Sequence, residues 1–337
     1  MNRRLARPRA WAPLLVTFKS GFQTWLFVIK LMAPALVLTR LLLYFDLIGP
    51  VAGVFAPVMG LMGLPSEAAL VWVASILGNL YVAISVYLAL TPVLTPALTL
   101  AQITTLGGLC LLAHALLIEG QICRGAGLSF WRSSVFRFLA ALVWGVLLHQ
   151  VARLTGWGAE PAQIKDFMSA FSEPVPPWGV WLRLNLKQFF LILVVIETLM
   201  LLMDAFKYLK LTRILMKILG PVLRLAGVGE SALMVTVIGC VVGLTYGGSL
   251  IIAERRSGHL NPQDVFGALM LMCVFHSILE DTFLMWSLGG SLAWLWIARL
   301  ILALSLTAGV TRLARRPFWR PLLVGRPSEA VPERANP

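Results

Sequence analysis

The sequence predicts an all-α integral membrane protein. It is built from two repeats of about four to five transmembrane or re-entrant helices, the second inverted relative to the first. Three observations lead there. The 337 residues are 59% hydrophobic and only 13% charged, with a mean hydropathy of +0.84, against about 25% charged residues in soluble domains. Apolar runs of roughly 20 residues recur, the length that crosses a hydrocarbon core of about 30 Å. Finally, polar residues rare in such a background recur in register between the two halves.

The first observation fixes the solvent and the second the secondary structure. Backbone groups in lipid must be satisfied internally, which leaves helical bundles or closed barrels. The runs here are far longer than the roughly 10-residue alternating segments of a barrel. Residues 1–24 form a basic N-terminal segment opening with Arg3, Arg4, Arg7 and Arg9. Lys30, Pro34 and Arg40 interrupt the first apolar stretch, so no cleavable signal peptide is expected. Helices are predicted over 25–45, 67–90, 100–119 and 134–153, then over 188–206, 231–254, 263–287 and 291–312. Two shorter segments, 48–64 and 211–228, complete the set. In the latter, Arg213, Lys217 and Arg224 share one helical face. The prolines and acids of "SEPVPPWG" mark 154–187 as a polar linker between the repeats 25–153 and 188–312. Residues 313–337 form a basic, Pro-rich tail with Arg315, Arg316 and Arg320.

The third observation concerns register. Pro57 and Val58 match Pro221 and Val222, and Gly63 matches Gly227, at an offset of 221 − 57 = 164. Leu80, Ser85 and Ala89 match Leu244, Ser249 and Ala253 at the same offset. Beyond the next loop the offset is 276 − 114 = 162, as a two-residue deletion produces. There His114 meets His276, Glu119 meets Asp281 and Arg137 meets Arg299. Repeated halves with a site at their interface are a recurrent transporter plan. The second repeat is taken as inverted because that version gathers the termini, Arg124, Arg132, Lys207, Lys210, Arg255 and Arg256 on the cytoplasmic side of a bacterial inner membrane.

A net charge of +13 does not imply nucleic-acid binding. The basic residues flank membrane segments, where topology and anionic lipid explain them, and no basic recognition element with interleaved aromatics is present. Cys110, Cys123, Cys240 and Cys273 lack CxxC spacing and read as small packing residues. No cofactor is expected. The partners are the bilayer, a small-molecule or ion substrate, and a further copy or a membrane partner protein.

Chemistry concentrates in "HSILEDT", residues 276–282. A charge at the bilayer centre costs roughly 2.5–3.5 kcal/mol even on a lenient scale, so Glu280 and Asp281 need water, a cation, a proton or a basic partner. On a continuous helix His276 and Glu280 share a stripe, with Ser277 and Asp281 on the next. They are candidates for a substrate or ion site, or for a structural network in which Arg299, like Arg137 in the first half, is an ion-pair partner. A metal site would require more donors, and His114 and Glu119 are the candidates. Glu280 is the charge peculiar to the second half, since Ile118 takes its place in the first.

A second candidate is "GLTYGGSLIIAE", residues 243–254. Gly243, Gly247 and Gly248 weaken a helix by about 1 kcal/mol each, with Thr245, Tyr246 and Ser249 alongside. Unwinding here would expose backbone groups to a solute; close helix packing through small residues is the other reading. Asn79 belongs to the matching span of the first half. Glu254 reads as an interfacial charge, and Asp204 as one paired with Lys207 or Arg213. No enzyme is expected, because adjacent Ser277 and His276 make poor nucleophile–base geometry.

Across "GLTYGGSLIIAERRSGHLNPQDV" and "HSILEDTFLMWSLGG" the chain resembles the Gate-type nucleoside-recognition domain family. That domain is shared by concentrative nucleoside transporters, the membrane part of the ferrous-iron transporter and spore maturation membrane proteins. The resemblance covers roughly 190–312 and, through the repeat, 25–153. It implies a multi-pass permease with two Gate modules, moving a small polar solute such as a nucleoside or a cation. A non-transporting membrane scaffold and a divalent metal permease are the alternatives. "GLTYGGSL" lacks the GxxxxGK[ST] phosphate loop, so no nucleotide-driven step is implied.

Overall fold

The computed structural model describes residues 12–91, 93–94, 96–164, 177–208 and 211–318. The N-terminal arginines, Arg320, residues 165–176 of the linker, and the side chains of Asp204, Lys207, Lys210, Arg213 and Arg256 lie outside the described residues. Among those described there is no strand, only an isolated bridge between Thr99 and Pro161. The chain is all-helical, and five helices are long and apolar enough to cross a membrane. They are Thr17–Tyr44, Leu100–Ala126, Phe130–Thr155, Trp178–Leu202 and Trp294–Ala314.

The first half begins with α1 (Ala12–Tyr44), followed by the short α2 (Ile48–Gly53) and α3 (Ala56–Leu61). Next come α4 (Ala68–Leu77) and α5 (Leu80–Leu90), then α6 (Leu100–Leu112), α7 (Leu116–Ala126) and α8 (Phe130–Thr155). The second half runs α9 (Trp178–Tyr208), α10 (Leu211–Leu225), a 3₁₀ turn, α11 (Leu233–Val242) and α12 (Leu244–Arg256). It ends with α13 (Pro262–Val274), α14 (Glu280–Ser287), a π turn over Trp294–Ala298, and α15 (Arg299–Ala314).

Four segments expected as continuous helices are broken. The span 67–90 splits at Gly78-Asn79, and 231–254 splits at Val242-Gly243. The span 100–119 splits at residues 113–115, its helix resuming to Ala126, and 263–287 splits at 275–279. The first two breaks are turns. Asn79 is fully extended and caps α5, its Oδ1 accepting from Val82 N at 3.0 Å; Gly243, at φ +113°, occupies the matching place. Each pair folds back on itself, α4 on α5 and α11 on α12. A Cβ on Gly247 would lie 2.5 Å from the Gly239 Cα, so the second hairpin closes through glycine-to-glycine contact.

The other two breaks are local unwinding within one path. Ala115 and Ser277 both adopt φ +46°, conformations unusual for residues with a Cβ. Backbone from the hairpins holds them open: Ala115 N donates to Ser75 O at 2.8 Å, and Ile278 N to Cys240 O at 3.0 Å. Apolar periodicity does not register such a short interruption. Strong starts precede both, a capping box at Thr99 and Gln102 for α6 and an Asn261 cap with Pro262 for α13.

The long helices fix the hairpins and broken helices in place. α1 packs against α9 and α5, Trp25 Nε1 donating to Phe189 O at 2.8 Å. Gln188 on α9 reaches Ser85 on α5 at 3.1 Å. α8 lies along α6, with the Trp144 indole occupying the room left by Gly108 and donating to Thr105 O at 3.2 Å. α12 packs on α7, and Arg255 Nη1 donates to Ala126 O at 3.1 Å, a cation on the carbonyl end of α7.

Candidate functional site

The two unwound points lie side by side, and their histidines meet. His114 Nδ1 lies 2.9 Å from Cys110 O, and His276 Nδ1 lies 2.6 Å from Met272 O, each four residues back on the end of its own helix. A carbonyl only accepts, so each Nδ1 carries the proton and each ring is fixed in orientation. The Nε2 atoms therefore face inward, 3.2 Å apart. Two facing lone pairs repel, so the pair requires a proton or a cation between or beside them.

Two carboxylates complete the centre. Glu119, in the first turn of α7, places Oε1 3.2 Å from His276 Nε2 and 3.6 Å from His114 Nε2. Its other oxygen pairs with Arg137 Nη1 on α8, and Arg137 Nε donates to Leu112 O at 2.9 Å. One guanidinium thus neutralises the acid and satisfies a carbonyl that the break would otherwise orphan. Asp281, in the first turn of α14, places Oδ2 3.7 Å from His114 Nε2 and 4.0 Å from His276 Nε2. That oxygen has no hydrogen-bond partner. All four residues are buried, the most exposed at 7%.

Arg299 is fully buried but makes no ion pair within 4 Å of Asp281 among the described residues. It reaches Thr282 Oγ1 at 3.5 Å and sits 5.0 Å from the centre of the Phe275 ring, while its Nε and Nη1 are unbonded. Glu280 lies outside the four-residue centre. The break turns it away, and its Oε1 accepts from Tyr81 Oη at 2.8 Å, across the halves. The shared stripe of His276 and Glu280 expected on a continuous helix is therefore absent, and Asp281 is the acid brought to the histidines. Ser277 supplies the left-handed residue of the break and is itself buried.

Of the two readings of the glycine-rich stretch, the structure shows close helix packing through small residues. The chain opens at Gly243, while Gly247 packs on Gly239 and Gly248 on Ile122 of α7, inside a regular helix. Thr245, Tyr246 and Ser249 lie on the exposed face of α12, Ser249 Oγ bonding back to Thr245 O. Asn79 is a helix cap. Glu254 pairs with His259 at 2.9 Å on the exposed side. Tyr81 stands with Asn79 in the span that matches the glycine-rich stretch, but its pairing with Glu280 was not legible in the sequence, because that partner lies 199 residues away.

This arrangement belongs to a membrane protein, and comparison with known proteins agrees. The chain is 25% identical over 318 residues, covering 93% of itself and 97% of the other protein, to "Uncharacterized membrane protein YvoD" of Bacillus subtilis (strain 168). No family model matches the chain. No solved structure matches it.

Proposed function

We propose that the protein is a permease that carries a small polar solute, a cation in particular, through the centre formed by His114, Glu119, His276 and Asp281. The observation that supports it is the convergence of four buried ionisable side chains, two from each half, at a pair of helix breaks. Membrane interiors retain such groups at a cost of several kcal/mol, mainly where a pathway uses them. Discontinuous helices meeting hairpins are the transporter solution to presenting polar groups at mid-membrane.

On this reading the halves are an inverted duplication. Each supplies three crossings: α1, α6–α7 and α8, then α9, α13–α14 and the helix ending in α15. The hairpins α4–α5 and α11–α12 re-enter from opposite sides, and an odd number of crossings inverts the second half. Charge supports it. Residues 45–99, on the outer side, hold no Lys or Arg, whereas Arg124, Arg132, Lys217, Arg224, Arg255, Arg315 and Arg316 fall on the inner side. Arg153, Arg183 and Lys187 run against the trend. The location is then a bacterial cytoplasmic membrane with both termini inside.

The test is uptake by purified protein in sealed vesicles, across monovalent cations, divalent cations and nucleosides. Wild type should accumulate one of these, and the double variant Glu280→Gln, Asp281→Asn should accumulate none at equal protein in the membrane. Unchanged uptake by the variant removes Glu280 and Asp281 from the path. No uptake of any solute by wild type would leave the scaffold reading.

A further inference from the structure

We infer that His114, His276 and Asp281, with Glu119 closing the fourth side, bind a divalent first-row transition-metal ion of the zinc type. The inference rests on reading this centre as the solute site and names the class of solute. It begins with spacing. Donors about 2.0–2.1 Å from a tetrahedral zinc lie roughly 3.3–3.4 Å from one another. The two imidazole nitrogens are 3.2 Å apart, and Glu119 Oε1 stands 3.2 and 3.6 Å from them. Asp281 Oδ2, at 3.7 and 4.0 Å, is slightly outside and would move inward on binding. His114, His276 and Asp281 each present a donor atom within 4.8 Å of the others.

The surroundings are those a metal site requires. Each histidine donates its remote N–H to a backbone carbonyl, which presents the lone pair of the other nitrogen inward. Arg137 holds one oxygen of Glu119 and leaves the other facing the imidazoles. The buried, unbonded Asp281 Oδ2 beside the imidazoles independently points to a cation, since a buried carboxylate oxygen without a partner is destabilising.

Donor type selects the ion. Calcium and magnesium prefer all-oxygen sites, whereas imidazole suits zinc, iron, nickel and copper. Soft monovalent copper favours thiolates, and the nearby thiols Cys123 and Cys273 instead contact each other, at 3.5 Å.

The experiment is equilibrium dialysis of the chelator-stripped, full-length protein in detergent against Zn²⁺, Co²⁺, Mg²⁺ and Ca²⁺. Expected are about one Zn²⁺ or Co²⁺ per chain, visible Co²⁺ bands of four-coordinate geometry, and neither Mg²⁺ nor Ca²⁺ at the same concentration. His276→Gln and His114→Gln should lose the metal while keeping the helical circular dichroism of wild type; the exposed His259→Gln should keep it. Arg137→Gln, which acts through Glu119, should weaken Zn²⁺ binding by about 10- to 100-fold. No binding by wild type, equal binding of Mg²⁺ or Ca²⁺, or retention of metal in both histidine variants overturns the inference; in the first case a shared proton occupies the centre. Metal binding without uptake in vesicles sinks the permease reading and leaves the site standing. Uptake of another solute without metal binding does the reverse.

Discussion

The two halves place the same residue types around the same break and finish them differently. In the first, Arg137 bonds both Glu119 and the freed carbonyl of Leu112. In the second, Arg299 touches Thr282 and the Phe275 ring, and Asp281 Oδ2 is left without a hydrogen bond. Glutamate is one methylene longer than aspartate, which lets Glu119 span its arginine and the imidazoles together. The first half is thus a closed ionic latch and the second an open acceptor. At equivalent positions of the two halves, a single carbon thus changes which partners the acid reaches.

The largest expected effect tests that division. Arg137→Met strands Glu119 as a buried unpaired charge and should cost about 3–5 kcal/mol, read as a sharp fall in the thermal midpoint in detergent. Arg299→Met, which breaks no ion pair, should cost clearly less. Equal losses would mean that the halves are not divided in this way. The interhalf contact comes next. Tyr81→Phe removes a hydrogen bond to a carboxylate and should cost about 1.5–3 kcal/mol. A neutral result would show that Glu280 finds water when Tyr81 lets go. The smallest effect lies at the hairpin tips. Asn79→Ala removes a cap worth about 0.5–2 kcal/mol, whereas Gly243→Ala, at φ +113°, should be harmed through backbone strain instead. Restored stability in Asn79→Asp but not in Asn79→Ala would confirm that the side-chain oxygen is what matters.

Much of the centre could be read in the chain before any coordinates. His114 with His276, and Glu119 with Asp281, stand out because an apolar background makes each rare polar residue expensive, and their shared offset links the halves. Glu280 and the Thr245–Ser249 stretch drew attention on the same grounds and are placed elsewhere. Glu280 was expected on the His276 stripe because a continuous helix was assumed. Gly247 and Gly248 were candidates for unwinding because glycine weakens helices locally, but here they serve close approach of α11 and α7.

Composition, run length and charge placement by themselves determined a helical membrane protein, because lipid admits few ways to satisfy a backbone and penalises every buried charge. Only the tertiary structure decided where the helices break, that the two imidazole nitrogens face each other, and which acid joins them. The breaks at Ala115 and Ser277 are held by carbonyls of Ser75 and Cys240, tens of residues upstream and on other helices. The pairing of His114 with His276 spans 162 residues. Such contacts depend on how hairpins dock against broken helices, and no local pattern of apolar and polar residues encodes that docking.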